Sequence, residues 1–147
     1  MKRKINDRRI ISQLRRNARE STAIIARNID IPVTKVFSRL EQLEEDGIIR
    51  KYVSLIDFSK IGYWLRIVYL IKSDRARINE MAELLAHSPH INTLQRIRGG
   101  FDFYAEMIFA NLKQVEEFQH ELEERGALKV EGYHILCQLK SEGFTIE

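Results

Sequence analysis

Residues 30–52 read DIPVTKVFSRLEQLEEDGIIRKY, and the order of charges along them decides how the chain is read. Val36, Leu40 and Leu43 recur at helical spacing and define one apolar face. Thr34 and Ser38 lie opposite that face, Lys35, Phe37 and Arg39 flank it, and Glu41 and Glu45 follow further along the exposed side. Small and basic residues therefore come first and acids last. A helix that docks in a DNA major groove enters by its N-terminal residues, while its later turns leave the duplex. Acids lying deep in the groove would be repelled by phosphates, so this charge order suits a helix read from one end. Gly47 is a natural residue just past a helix C-terminus. Taken alone, the segment also suits a solvated helix of an ordinary three-helix bundle.

The surroundings favour the first reading. NDRRIISQLRRNAR places Ile10, Ile11 and Leu14 at helical spacing, with Asn6 or Asp7 as N-cap. ESTAIIARNI starts a second helix at Ser21 or Thr22 and aligns Ile25, Ala26 and Ile29. Only NIDI separates it from the third helix. Residues 1–51 hold 13 Lys and Arg against 7 Asp and Glu, whereas residues 52–147 hold 11 against 14. A basic N-terminal third on an acidic remainder points to an anion-binding module fused to something else.

Composition narrows the class further. The 147 residues are 44% hydrophobic and 31% charged, which fits neither bulk disorder nor a membrane protein. No apolar run approaches the roughly 18–20 residues that span a bilayer. MKRKINDRR leads into no signal-peptide core. The single Cys137 excludes an internal disulfide framework and fits a reducing compartment. The expectation is a soluble, cytoplasmic protein with no membrane partner.

After Gly47 the period changes. GIIRKYVSLIDF reads as a strand or linker leading to Gly62, and WLRIVYLIK as a strand buried on both faces. ARINEMAELLAHS predicts a helix with Ile78, Met81, Ala82 and Leu85 inward. INTLQRIRGG and FDFYAEMIFA form a strand pair around Gly99 and Gly100. NLKQVEEFQHELEER predicts a helix with Leu112, Val115, Phe118 and Leu122 inward. KVEGYHILCQLK closes as a strand with Tyr133, Ile135, Cys137 and Leu139 on one side, so Cys137 reads as a core thiol. The order is β-α-β-β-α-β, the ferredoxin-like signature. The predicted fold class is α+β: a winged-type helix-turn-helix over residues 1–50, a linker strand over 51–62, and a ferredoxin-like domain over 63–147.

Chemistry of other kinds is thin. His87 and His90 form an H-x-x-H pair interrupted by Pro89, with no third ligand nearby, so no metal site is expected. His134 reads as a surface or interface residue. There is no Gly-rich phosphate loop and no Ser/His/Asp order, so no catalytic residues and no cofactor are expected.

From INDRRIISQLRRNARES through IIARNIDIPVTKVFSRLEQLEEDGIIRKYVSLIDFSKIGY the chain resembles the Lrp/AsnC (feast/famine) family of prokaryotic transcription regulators. Asp7, Ile11, Leu14, Arg19, Ala26, Val36, Arg39, Leu40, Leu43, Gly47, Ile49, Asp57 and Gly62 carry the likeness. It implies DNA binding and transcription regulation without enzymatic activity, and a C-terminal domain that dimerises and often senses amino acids. Pro32 stands where the family usually has a capping Ser, which implies a helix start pre-organised by proline. Asp30 replaces a common turn Gly, a backbone Asp tolerates. In the effector loop Gly100 replaces the usual acidic residue and Arg98 a small polar one, leaving Asp102 as the remaining carboxylate unless it caps the turn.

On this basis Thr34, Lys35, Ser38 and Arg39 are the expected base-edge or adjacent phosphate contacts, and Phe37 touches a thymine methyl or packs at the domain edge. Arg39 has a second reading, as a structural ion-pair partner beside the buried stripe. Lys2, Arg3, Lys4, Arg8, Arg9, Arg27, Arg50 and Lys51 are candidates for sequence-independent phosphate contacts. An effector, if one binds, lies near Arg98, Gly99, Gly100 and Asp102, and an acidic one suits Arg98 better than a neutral amino acid. The sheet's apolar faces predict a homodimer, with tetramers or octamers as further assemblies. The alternative function is a DNA-compacting architectural protein with little sequence preference and no effector.

Overall fold

The computed structural model describes residues 2–146, with side chains described from residue 6 onward; Lys2, Arg3 and Lys4 are therefore outside the described side chains. The chain forms two compact units. One holds the N-terminal residues up to Leu55 together with those from Leu139 onward, and the other runs from Ile56 to Gln138.

The first unit has three helices, α1 (Lys2–Arg16), α2 (Thr22–Ile29) and α3 (Val33–Glu45). Each contributes one apolar stripe to a shared core of Ile10, Ile25, Ala26, Ile29, Val36 and Leu43, with Ile11, Leu14, Ile31, Leu40 and Ile49 packed against it. Ser21 caps α2 by accepting from the Ile24 N–H. The turn into α3 is three residues long. Asp30 takes the left-handed conformation (φ 56°) that ends α2, and the Ile31 N–H bonds the Ala26 carbonyl. One expectation is corrected here. Neither Asn6 nor Asp7 caps α1, because the helix begins further upstream and places Asp7 in its second turn. Pro32 occupies the N-cap of α3 with φ −58° and no side-chain bond, at the place of the family's capping Ser.

The second unit is a four-stranded antiparallel sheet in the order β2-β3-β1-β4, built from β1 (Leu65–Ser73), β2 (Ile91–Arg96), β3 (Phe103–Phe109) and β4 (Ala127–His134). Helices α4 (Ile78–His87) and α5 (Leu112–Glu124) complete the ferredoxin-like β-α-β-β-α-β order. Both helices cover one face: Met81, Leu85, Val115, Phe118 and Leu122 pack on Ile67, Tyr69, Ile71, Phe103, Ala105, Met107 and Phe109. The architecture is thus α+β, a helix-turn-helix followed by a ferredoxin-like fold.

Four further details differ from the sequence reading. Residues 51–57 carry no strand, since strand pairing needs a partner and none is present among the described residues. β1 is fully buried on one face only; Arg66, Val68 and Leu70, on the other, are half-buried. Leu112 is exposed at the start of α5. The last strand ends at His134, because β1 begins at Leu65 and the Ile135 N–H makes the final bond, to the Arg66 carbonyl. Leu136 and Leu139 are consequently exposed, and Cys137 is an exposed thiol instead of a core one.

Candidate nucleic-acid interface

The α2-turn-α3 pair presents α3 by a fixed set of local bonds. At its end the Gly47 N–H bonds the Glu44 carbonyl and the Ile48 N–H the Leu43 carbonyl, each at 2.9 Å. Gly47 has φ +67°, so this Schellman closure favours a residue without a β-carbon. With Val36 and Leu43 buried, Thr34, Lys35, Phe37 and Ser38 all stand exposed on the opposite side, and Phe37 is 56% exposed. The Ser38 hydroxyl donates to the Lys35 carbonyl at 3.3 Å and keeps its acceptor lone pairs outward. Glu41 and Glu45 are exposed in the later turns. Small, basic and aromatic groups therefore front the first two turns, and carboxylates the last.

Arg39 behaves differently from its neighbours. Its Nε and Nη2 each donate to an oxygen of the Asp7 carboxylate at 2.8 Å, and only 13% and 17% of the two side chains are exposed. The hydrogen bonds it donates to Asp7 hold the guanidinium more firmly protonated than usual. The structure thus gives Arg39 the ion-pair role, and its donors on that edge are unavailable to a base. Asp7 is the ion-pair partner that the sequence reading did not name. Its signal was weak but present: it is the only acid in α1, beside seven Lys and Arg. Arg8, Arg9, Arg27, Arg50 and Lys51 are all exposed. Arg8, Arg9, Ser12, Gln13 and Asn28 line a shallow groove, across which Asn28 donates to Gln13 at 3.0 Å.

In the second unit the β2–β3 loop exposes Arg98, Gly99 and Gly100. Asp102 is tied back into the sheet. Its carboxylate accepts from the Ser73 N–H at 3.0 Å and from Lys72 Nζ at 3.1 Å, which hold it below the usual carboxylate range. Around it the loop is cationic: Arg96 sits over the Phe103 ring and Lys129 over Phe101. On the sheet face away from the helices, buried Glu106 accepts from Arg66 Nε at 2.7 Å and from Asn92 at 2.9 Å. His87 Nδ1 pairs with the Glu83 carbonyl and His90 stacks on Phe109, so the two histidines serve different local contacts. Among the described residues no group of three or more His, Cys, Asp or Glu is placed to hold a metal ion, and no helix is long and apolar enough to cross a membrane.

Comparison with known proteins agrees with this geometry. Residues 3–50 match a family model described as winged helix-turn-helix DNA-binding. An uncharacterised HTH-type transcriptional regulator of Pyrococcus furiosus is 31% identical over 144 residues, covering 95% of this chain and 95% of the relative. Among solved structures, B. subtilis LrpC superposes with a TM-score of 0.83 at 24% identity, over 92% of this chain and 96% of that one. A Neisseria meningitidis transcriptional regulator, solved as its L-Met complex, superposes with a TM-score of 0.84 at 18% identity, over 92% and 91% of the two chains.

Proposed function

The chain belongs to the Lrp/AsnC family of helix-turn-helix transcription regulators, and from that premise we propose which residues divide the work. It is a DNA-binding regulator and not an enzyme. The observation that carries the assignment is the exposed first half of α3, where Thr34, Lys35, Phe37 and Ser38 stand clear of the core. These residues read base edges, with Phe37 against a thymine methyl. Arg8, Arg9, Arg27, Arg50 and Lys51 supply phosphate contacts that set position and salt dependence. Selection of bound fragments from random duplex DNA tests the reading. A palindromic consensus is expected, and Lys35→Ala or Ser38→Ala each weakens binding to it by about 1–3 kcal/mol while random DNA is bound almost as before. No enrichment of any sequence supports the architectural alternative.

The active species is a homodimer, and larger even-numbered assemblies are built from it. Arg66, Val68 and Leu70 of β1 lie on the sheet face that α4 and α5 leave uncovered, and a second copy stacked on that face shields it. A two-fold dimer places its recognition helices about 34–36 Å apart, which sets the half-site spacing of the consensus. The protein acts in the cytoplasm, where its DNA is.

The neisserial regulator was solved as a complex with L-Met. In this chain the Asp102 carboxylate is already occupied by Ser73 and Lys72, so it offers little to an α-ammonium group. Arg98 and the neighbouring cations favour a carboxylate-rich ligand over a neutral amino acid. A thermal-shift screen of the twenty amino acids is expected to leave the melting point unmoved by leucine or methionine; a ligand at a hundred times its Kd stabilises by about 2.7 kcal/mol, which such a screen resolves. A clear shift with leucine, abolished by Asp102→Ala, overturns this view.

A further inference from the structure

We infer that Asp7 and Arg39 form a positioning pair that fixes how α3 is presented to DNA, and that Arg39 itself touches no base. The pair joins the second turn of α1 to the middle of α3, across 32 residues of sequence. Both bonds are 2.8 Å and both side chains are largely withdrawn from water. A fork-on-carboxylate pair specifies direction and rotation as well as distance. The contacts of Val36 and Leu43 with the core are non-directional by comparison, and a small rotation of α3 about its axis costs them little. Arg39 follows Ser38 directly and lies one helical turn from Lys35, so any rotation that the pair prevents would carry both residues away from their bases. Charge makes the same point. An acid on an otherwise basic helix weakens the attraction of a polyanion, so the presence of Asp7 in α1 is accounted for by the bond it makes and not by DNA attraction.

The inference rests on base reading by α3, and the experiment separates the two. The unaltered protein first selects a preferred duplex from a random pool, and every variant is then titrated with that duplex and with a random duplex of equal length. Asp7→Asn is expected to lower affinity for the selected duplex about tenfold. It leaves affinity for random DNA unchanged or slightly higher, because a negative charge has gone. Arg39→Lys should follow the same pattern with an unaltered salt slope, and Asp7→Glu should recover most of the discrimination. Equal tightening on both duplexes by Asp7→Asn overturns the inference. So does a salt slope that falls by about one unit in Arg39→Lys, the mark of a phosphate contact. Lost discrimination in Arg39→Lys with full discrimination in Asp7→Asn would make Arg39 a base reader instead, and equally overturns it. Circular dichroism melting sets a temperature at which each variant is folded; if Asp7→Asn does not fold, Asp7→Glu and Arg39→Lys, which keep both charges, carry the comparison. NMR of the Arg39 Nε–H supplies a readout that needs no preferred sequence. The proton stays protected and unshifted when random duplex is added, and a shift or loss of protection counts against the pair. Should no sequence be enriched, base reading fails while this second readout still decides the fate of the pair.

Discussion

The two units dispose of their apolar surface in different ways. In the first, three helices enclose a core that all of them share, and α1, α2 and α3 each direct one stripe inward. Outside that core α1 and α2 carry mostly polar and basic groups, while Val33, Phe37, Ile48, Val53 and Leu55 stand exposed. In the second, α4 and α5 close one side of the sheet, while Val68 and Leu70 on the other side are only half-buried alongside Arg66. On that side the buried Glu106 carboxylate is paired by half-buried Arg66 and exposed Asn92, since an unpaired carboxylate there would be costly. The sheet unit thus leaves one face without a helical layer of its own, and in the proposed dimer a second copy supplies it. In that proposal base recognition belongs to the first unit and assembly to the second.

The largest effect is expected where the comparison is easiest to break. Val68→Arg places a charge on the uncovered sheet face without touching the helix-packed core. Light scattering should then give a mass near the 17.3 kDa of one chain, while circular dichroism stays native. Affinity for a palindromic duplex should drop by about a hundredfold or more, because one recognition helix binds where two did. A variant that stays dimeric with full affinity would remove the uncovered face from the account of assembly.

Next comes the closed core. Leu43 is fully buried in the first unit, and Leu43→Ala should cost about 2–5 kcal/mol through lost contacts and a residual cavity. Calorimetry sharpens the contrast, because the transition of the helical unit should fall while that of the sheet unit keeps its temperature. Equal displacement of both transitions would mean that the two units do not melt as separate cores.

How much of this was legible in the sequence follows the same division. Helical periodicity is local, so the stripes of α2 and α3 and a start at Ser21 or Thr22 could be read from neighbours in the chain, while the turn at Asp30 followed from the family resemblance. The β-α-β-β-α-β order could be read too, because period and turn residues changed together at Gly99 and Gly100. What escaped depended on partners distant in sequence. Asp7 looked like a cap because its partner, Arg39, lies two helices further along the sequence. Cys137 alternated with Tyr133 and Ile135 as a core residue would, yet the ladder stops where β1 runs out. Residues 51–57 are composed like a strand, but a strand forms only beside another. Among the residues expected to contact DNA, exposure agrees with the choice of Thr34, Lys35, Phe37 and Ser38, whereas Arg39 could be placed only once the fold had brought α1 against α3.

The smallest effect lies in the sheet unit, at Asp102, where a loop that resembles an effector site is held by its own carboxylate. The Ser73 N–H, and then Lys72, keep Asp102 ionised below the usual carboxylate range. A depressed folded-state pKa contributes stability that is present above the unfolded value, near 4, and is lost as pH falls through the folded value. Asp102→Asn should therefore destabilise the protein by about 1–2 kcal/mol at neutral pH, the size of a hydrogen bond to a charged group. The gap between the two proteins should then narrow as the pH drops below about 4, because the native carboxylate is being protonated while the amide has nothing to titrate. Melting temperatures of both across that range decide the matter. A difference that persists unchanged into acid would mean that the charge of Asp102 is not what holds the loop. The carboxylate would then be free for the ammonium group of a ligand, and the sheet unit would regain the effector site that its bonds now argue against.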